Sequence, residues 1–479
     1  MTAPAHIAAW MRGLAIASLL ILGGCASFSN DTGMDVVTAT AGVGINKQVV
    51  AIRGDDDATV ARKATDNLLK RPLTADAAVQ IALLNNMGLQ AAYNELGIAE
   101  AARVQASIMP NPTISVGRIS GSAEIEVEKR IVGNILALAT LPVRAELATN
   151  RFRQAQLRAA EETLRVAAET RRAYYRAVAS RQTIFVMADA KSSAETATKL
   201  TTRLGESGAI SKLAQARDHV AFAEIAAQLA AARQRMLTER ERLIRWMGLW
   251  GNDLAFRLPD NLPSMPRRVQ VLPAVESEAV LRRVDIQIAR LELDAMAKSY
   301  GLTQATRFVN LLEVAGVAKD TRDRATGETT RDRGFEVEFQ IPLFDFGEVR
   351  ARQAEQSYLQ AVNRLTEKAV NARSQARESY RTYRAAYDIA AHYRTEVLPL
   401  RKIISDEMLL RYNAMQIDVL TLLTEVRQRT ASINASVDAQ REFWLASVDL
   451  AAAVMGGGVS GASEGSGMAA AAPAESGGH

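Results

Sequence analysis

Apolar and charged residues alternate strictly over a stretch of the C-terminal half of the chain. The apolar positions are Phe335, Val337, Phe339, Ile341 and Leu343, and the polar positions between them are Glu336, Glu338 and Gln340. A period of two predicts a β-strand with one apolar and one charged face. A strand of about ten residues is long enough to cross a membrane when tilted, so we predict that Phe335, Val337, Phe339 and Ile341 face lipid. A half-buried strand in a soluble sheet has the same pattern and stays an alternative.

The same alternation occurs earlier, where Ile125, Val127 and Ile131 lie between charged residues. We predict partner strands at 113–119 and 308–318, and an exposed loop at 319–334, which is rich in Asp, Arg and Thr. Four strands cannot close a barrel, which needs about eight. Because an open sheet edge is not tolerated in hydrocarbon, membrane-spanning strands of this chain would have to share one barrel with other copies.

Helical patterns fill most of the remaining chain. We predict helices at 76–108, opened by Thr74 as N-cap, and at 278–304. The segment 145–204 contains neither Gly nor Pro and predicts a helix of about 90 Å, and 348–412 predicts a similar one with an interruption at Pro399. Each is followed by a return helix that ends at a glycine. Apolar residues recur every seven positions in the return helices, which indicates a coiled coil, with a plain amphipathic helix as the alternative.

Short segments of the chain recur in the same order. Residues 89–96 resemble 286–293, 141–143 resemble 341–343, 210–213 resemble 417–420, and 247–248 match 455–456. The ordered pairs predict a tandem duplication. We divide the chain into a signal peptide (1–24), an N-terminal extension (25–72), a first repeat (73–248), a linker (249–277), a second repeat (278–456) and a disordered tail rich in Gly, Ala and Ser (457–479).

The N-terminus has the features of an export signal. Arg12 precedes an apolar stretch from Gly13 to Leu22, and Leu22-Gly23-Gly24-Cys25 follows. This resembles a bacterial lipobox, so we predict a lipoprotein with lipid, including palmitate, attached at Cys25. Ala26 after the cysteine is typical of an outer-membrane destination. The alternative is an ordinary signal peptide with an incidental cysteine.

Composition narrows the function further. The chain has 58 Lys and Arg against 53 Asp and Glu, a net charge of +5 that is too small for its length to indicate nucleic acid. Its single cysteine excludes an intramolecular disulfide and a four-cysteine zinc site. The four histidines are scattered, and we find no catalytic, metal-binding or cofactor-binding motif. We therefore expect no enzyme activity, no cofactor and no resident metal.

An ordered set of segments resembles the TolC-like outer-membrane efflux factor family, in its outer-membrane lipoprotein branch. The segments are Leu73-Thr74 with Ala78, Ala82, Leu83, Asn85 and Asn86; 95–102; Pro110-Asn111-Pro112; 341–347; and Arg411-Tyr412-Asn413 before Ile417. The resemblance implies a mainly α-helical chain with a membrane β-barrel. It further implies a homotrimer with a shared twelve-stranded barrel and a periplasmic tunnel of coiled-coil helices. Such proteins are passive exit ducts that dock to a periplasmic adaptor, the membrane fusion protein, and through it to an inner-membrane efflux pump.

The resemblance also implies a periplasmic aperture with an adaptor-docking surface. Its residues here are Ser207, Gly208, Ile210 and Ser211 in one turn, and Asn413, Met415, Ile417 and Asp418 in the other. Asp418 matches an acidic aperture position, whereas a second acidic position of the family is Thr421 in this chain. The alternative for Asp418 is a first-turn acid favoured by the helix dipole, an effect of about 0.3–1 kcal/mol. The alternative function is a periplasmic coiled-coil adaptor or structural lipoprotein, but two hairpins alternating with strands in tandem favour the duct.

Overall fold

The computed structural model describes residues 27–309 and 311–458. The predicted signal peptide, Cys25 and residues 459–479 of the predicted tail lie outside the described residues. The chain divides into two compact units. Of the described residues, the strand-bearing unit comprises 27–33, Asn94–Gln156 and Ile288–Thr366. The helical unit comprises Met34–Tyr93, Leu157–Gln287 and 367–458.

The strand-bearing unit contains an antiparallel sheet in the order β1-β2-β3-β4. Its strands are β1 (Thr113–Ser120), β2 (Glu124–Asn134), β3 (Leu311–Asp323) and β4 (Thr329–Gln340). The four predicted strands are confirmed, but two boundaries were wrong. Ile341 follows the end of β4, and the predicted loop 319–334 is mostly strand, with only 324–328 between β3 and β4. The charged residues of that stretch pair across strands, as Arg331 does with Asp320 at 3.8 Å, which is why they did not form a loop.

The N-terminal extension has more structure than its sequence indicated. It contains α1 (Met34–Val37), a π-helical turn (Thr38–Gly42), α2 (Val43–Ile45) and α3 (Asp55–Leu69). Between α2 and α3 the extended backbone is held by Gln90, whose amide accepts a hydrogen bond from Ile52 N at 2.9 Å and donates one to Val50 O at 3.2 Å. These contacts come from a residue distant in sequence, so no local period signals them.

The first repeat contains the two predicted helical segments and their return helix. Its helices are α4 (Ala75–Asn85), α5 (Met87–Ser107), α6 (Ile135–Ala139), α7 (Leu141–Glu206) and α8 (Lys212–Met247). Thr74 caps α4 as predicted and accepts a hydrogen bond from Ala77 N at 3.1 Å. The predicted helix 76–108 is broken at Asn86, whose side chain accepts from Leu89 N and donates to Trp246 O. Gly248 ends α8 at φ 66°, where a Cβ would lie 2.4 Å from Asn85 O, so the close approach requires glycine.

The second repeat follows the same plan after a 3-10 turn at Gly251–Ala255. Its helices are α9 (Val275–Arg282), α10 (Val284–Ala305), α11 (Glu348–His392), α12 (Leu398–Asn413) and α13 (Val419–Met455). The helix break at Arg283 corresponds to the break at Asn86 in the first repeat. The interruption predicted at Pro399 is a π-helical turn, Tyr393–Val397, directly before α12.

The core of the helical unit is built from small and aromatic side chains of both repeats. Tyr175 stacks on Trp444 at 5.2 Å between ring centroids. Linker residues Leu249, Phe256 and Leu258 are buried in the same cluster. The first residues of the predicted disordered tail are also packed, since the buried Arg172 donates a hydrogen bond to Gly458 O at 2.8 Å. Within the described ranges, none of the helices combines the length and the apolar composition that a membrane span requires.

Candidate channel sites

The two helix-to-helix turns that we predicted as the aperture have the same backbone hydrogen bonds. In the first, Gly208 N donates to Gly205 O and Ala209 N to Leu204 O. In the second, Met415 N donates to Tyr412 O and Gln416 N to Arg411 O. Both are Schellman motifs, which place one residue in the left-handed region after the helix. That residue is Gly208 at φ 76° in the first turn and Met415 at φ 59° in the second.

The side chains of the predicted aperture residues are mostly exposed. Ser207, Ser211, Asn413 and Asp418 are exposed, while Ile210 and Ile417 are half-buried at equivalent positions of the two turns. Met415 is 93% exposed. Each turn therefore has one half-buried isoleucine, and its other predicted aperture residues are exposed to solvent. Whether they form an aperture or a docking surface stays a prediction.

Asp418 is the N-cap of α13, and Ser211 is the N-cap of α8. Asp418 accepts a hydrogen bond from Thr421 N at 2.9 Å, and Ser211 accepts one from Ala214 N at 3.2 Å. The hydrogen bonds from the Thr421 side chain and backbone hold the pKa of Asp418 below its usual value. Thr421 thus stabilises the charged form of Asp418.

Two buried acids follow the turns at equivalent positions of the return helices, and sequence analysis missed both. Asp218 is 1% exposed and accepts a hydrogen bond from the Thr201 hydroxyl at 2.5 Å. Glu425 is 5% exposed and pairs with Arg401 at 3.4 Å. Their separation of 207 residues is the same as that of 210–213 and 417–420, so the repeat itself was the signal that could have found them.

The two return helices meet close to these acids. Arg427 of α13 forms an ion pair with Glu224 of α8. A cavity of about 520 Å³ lies beside this pair, and its walls include Asp218, Leu423 and Thr424. The helical hairpins of the two repeats are therefore linked by a charged contact, in addition to the apolar core.

The register of the sheet separates its residues onto two faces. Ile114, Ile131, Gly316 and Phe335 are paired across the four strands and lie on one face, which we call the apolar face. Val314 and Val337, then Leu312 and Phe339, form its next rows. Phe335 is 80% exposed, and the other large side chains of these rows are exposed or half-buried in a single copy. Ile341 lies beyond the strand, so only Phe335, Val337 and Phe339 of the predicted lipid-facing residues belong to it.

The opposite face, which we call the acidic face, is dominated by carboxylates. Its acids are Glu124, Glu126, Glu128, Glu313, Asp323, Asp332, Glu336 and Glu338. Its basic residues in the described strands are Arg130 and Lys319. Arg130 pairs with Glu336 at 3.2 Å, and Lys319 pairs with Glu126. This face therefore has a large excess of negative charge.

The remaining candidate residues form no chemical site. His219 is exposed on α8, and the exposed His392 lies 3.3 Å from Glu396 one helical turn further on. Among the described residues, no group of three His, Cys, Asp or Glu is arranged to hold a metal ion. The lipid-attachment residue Cys25 lies outside the described residues and stays a prediction.

Comparisons with known proteins find the same fold in solved outer-membrane channels. Residues 275–404 match the model of the outer membrane efflux protein family. The outer-membrane channel OprN has a TM-score of 0.66 at 17% identity, covering 88% of this chain and 95% of OprN. The open state of the MtrE outer membrane channel of Neisseria gonorrhoeae has a TM-score of 0.64 at 16% identity, covering 79% and 88%.

A relative is also found by sequence. The chain is 24% identical over 292 residues to the cobalt-zinc-cadmium resistance protein CzcC of Cupriavidus metallidurans. The match covers 57% of this chain and 64% of CzcC, which is less than two thirds of that protein. The resemblance to the efflux family is thus confirmed over residues 275–404, and the mainly helical fold with a four-stranded sheet is confirmed over most of the chain.

Proposed function

We propose that the protein is the outer-membrane exit duct of a tripartite efflux system and works as a homotrimer. The observation that carries this proposal is the sheet, which has an apolar and an acidic face and pairs neither the outer edge of β1 nor that of β4. A lipid-facing sheet must close, and four strands are too few. Three copies would supply twelve strands, with the apolar faces toward lipid and the acidic faces toward the pore.

The acidic face favours cations as the cargo. Carboxylates on the pore wall would concentrate cations and repel anions, while the lack of a metal-holding cluster among the described residues suits a duct that must release what enters it. CzcC is a cobalt-zinc-cadmium resistance protein, and these three metals form divalent cations in water. We therefore propose divalent metal cations as a substrate class.

Partners follow from the same assignment. The two turns would dock to a periplasmic adaptor, and an inner-membrane pump would supply the energy. Cys25 would carry the lipid that anchors the mature chain to the outer membrane. Transport through the duct itself is passive, and we propose no enzymatic step.

The test is purification of the mature chain from outer membranes in detergent. A duct runs as a trimer on an unheated gel, becomes monomeric on heating, and gives steady conductance in a planar bilayer. A periplasmic adaptor or structural lipoprotein instead yields a soluble chain without conductance. A monomer that stays in solution without detergent overturns the proposal.

Asp418 provides a sharper test of the pore entrance. If three copies of Asp418 surround the aperture, Asp418→Ala weakens block of the conductance by divalent cations, because the attracting charge is removed. Asp418→Asn keeps the size and most of the cap and should weaken block equally. Ser211→Ala is the matched control at the equivalent neutral cap. Block that is unchanged in both Asp418 variants removes this residue from the aperture.

A further inference from the structure

The apolar face of the sheet changes character toward the two hairpin turns. Its three rows nearest the turns at 121–123 and 324–328 carry Lys129 with Arg333, then Arg118 with Arg331, then Arg322. Asp320 is the acid of these rows. We call these five basic residues the basic rows; among the described strands they leave four positive charges uncompensated.

Most of these charges have no acidic partner. Asp320 is shared between Lys129 at 3.1 Å and Arg331 at 3.8 Å. Arg118, Arg322 and Arg333 are exposed and form no ion pair within the described residues. An arginine that pairs with no carboxylate of its own chain can offer its planar set of donors to an external anion.

The basic rows lie on the opposite side of the sheet from the acids. Across the strand backbone, the acidic face carries eight carboxylates, and in the strands as described only Arg130 and Lys319 oppose them. Positive charge is therefore concentrated on one face of the sheet and negative charge on the other. Exposure to water alone would not require this separation. Val116, Val127 and Ile125 share the basic rows, so the long arginine and lysine stems have apolar neighbours while their charged ends can reach outward.

We propose that the basic rows bind the phosphate groups of lipid headgroups in the leaflet at the hairpin-turn end of the barrel. This inference rests on the proposed function, because it requires the apolar face to lie against lipid. The three apolar rows then meet acyl chains, and the basic rows meet the headgroup region. Guanidinium groups bind phosphate in a bidentate manner. In an anionic headgroup no ammonium group offsets the phosphate charge, so the basic rows should bind it more tightly than zwitterionic phosphatidylcholine. Each basic residue near an anionic lipid surface contributes about 1 kcal/mol, a roughly fivefold change in affinity.

The experiment measures lipid retention by the detergent-solubilised trimer with native mass spectrometry. The probes are phosphatidic acid, phosphatidylglycerol and phosphatidylcholine with the same acyl chains. We expect at least about tenfold preference for the two anionic lipids over phosphatidylcholine. The triple variant R118Q/R322Q/R333Q should lose this preference, and R118K/R322K/R333K should retain most of it.

Matched controls separate the basic rows from overall charge. R352Q/R373Q/R384Q removes three exposed arginines of α11 and should leave the lipid preference unchanged. Equal loss in this control overturns the proposal, as does an undiminished preference in the Gln variant. Competition by millimolar inorganic phosphate would assign the rows to a free anion and also overturns it.

The proposed function is judged on the same samples by the heat-sensitive trimer and by conductance. A conducting trimer without anionic lipid preference refutes only the lipid site. A soluble monomer refutes the duct. If the Gln variant fails to assemble, the wild-type preference between phosphatidic acid and phosphatidylcholine decides, and equal retention of the two refutes the site.

Discussion

The two helical turns at the predicted aperture share a backbone but not their chemistry. Both close with the same pair of Schellman hydrogen bonds, yet Gly208 occupies the left-handed position in one and Met415 in the other. The following helix is capped by neutral Ser211 in the first turn and by charged Asp418 in the second. The two turns thus share their backbone hydrogen bonds, and the second has a non-glycine residue in the left-handed region and a charged cap.

The buried acids that follow the two turns also differ in the charge of their partners, and the charged partner is again in the second repeat. Asp218 is satisfied by a neutral hydroxyl, whereas Glu425 is held by the partly exposed Arg401 and has one oxygen, Oε1, without a hydrogen-bond partner in the structure. The buried acid of the first hairpin thus accepts a hydrogen bond from a neutral hydroxyl, and that of the second pairs with a charged guanidinium. If this difference matters for stability, substitutions at equivalent positions of the two hairpins should change the free energy of local unfolding by different amounts.

The largest expected effect is the loss of Arg401. Arg401→Ala leaves the buried Glu425 without its counter-charge and should destabilise the end of the second hairpin by about 2–3 kcal/mol. Thr201→Val, the matching change at Asp218, should cost about 1–2 kcal/mol, because a neutral donor is lost. Hydrogen exchange of the two return helices in the assembled protein measures both. Arg411→Ala, which removes an exposed ion pair with Glu407, is the control and should destabilise the hairpin by less than about 0.5 kcal/mol. If Arg401→Ala destabilises its hairpin less than Thr201→Val destabilises the other, the proposed difference between the two buried acids is contradicted.

Exchanging the left-handed residues should give effects of opposite sign. Gly208→Ala places a Cβ in the left-handed region and should destabilise the first turn by about 1–2 kcal/mol, although no atom lies within 4 Å of that Cβ. Met415→Gly should stabilise the second turn by about 0.5–1 kcal/mol. The measurement is hydrogen exchange of the last turns of α7 and α12. A destabilising Met415→Gly would mean that Met415 makes contacts in the assembly that outweigh its backbone strain.

The two N-caps should contribute similarly to stability at neutral pH, but the pH dependence of their contributions should differ. Asp418→Ala and Ser211→Ala should each cost about 1 kcal/mol at neutral pH. Because the pKa of Asp418 is lowered in the folded state, its extra contribution is fully present above the unfolded value of about 3.9 and is lost as pH falls through the lowered pKa. The cost of Ser211→Ala should stay constant with pH. Hydrogen exchange of the first turns of α8 and α13 from about pH 3 to 7 tests this, and parallel pH curves contradict it.

Local patterns in the sequence predicted the elements better than their junctions. The period-two alternation located β2 and β4, from which the partner strands β1 and β3 were predicted, and Thr74, Gly248 and Pro399 marked helix boundaries correctly. The breaks at Asn86 and Arg283 were missed because distant residues stabilise them: Asn86 donates to Trp246 O, and Arg283 to Gln375. A helical period continues through such a break, since the cause lies in tertiary contacts.

The predicted loop at 319–334 failed for a related reason. Charged residues normally mark a solvated turn, but here they lie on two sides of paired strands, with Lys319 on the acidic face and Asp320 on the other. The buried acids Asp218 and Glu425 were overlooked because burial of an acid depends on the facing helix, which a single sequence does not reveal. The internal repeat indicates that Asp218 and Glu425 occupy equivalent positions, but it does not indicate which side chains surround them.

The unpaired edges of β1 and β4 have a consequence before any pore exists. A long exposed strand edge is a template for any extended chain, so an isolated protomer is prone to aggregation until its edges are covered. In the proposed trimer, productive assembly needs two further copies, whereas mispairing needs only one unrelated strand. Under that proposal, covering of the strand edges depends on the local concentration of protomers, so conditions that bring copies together favour assembly over mispairing.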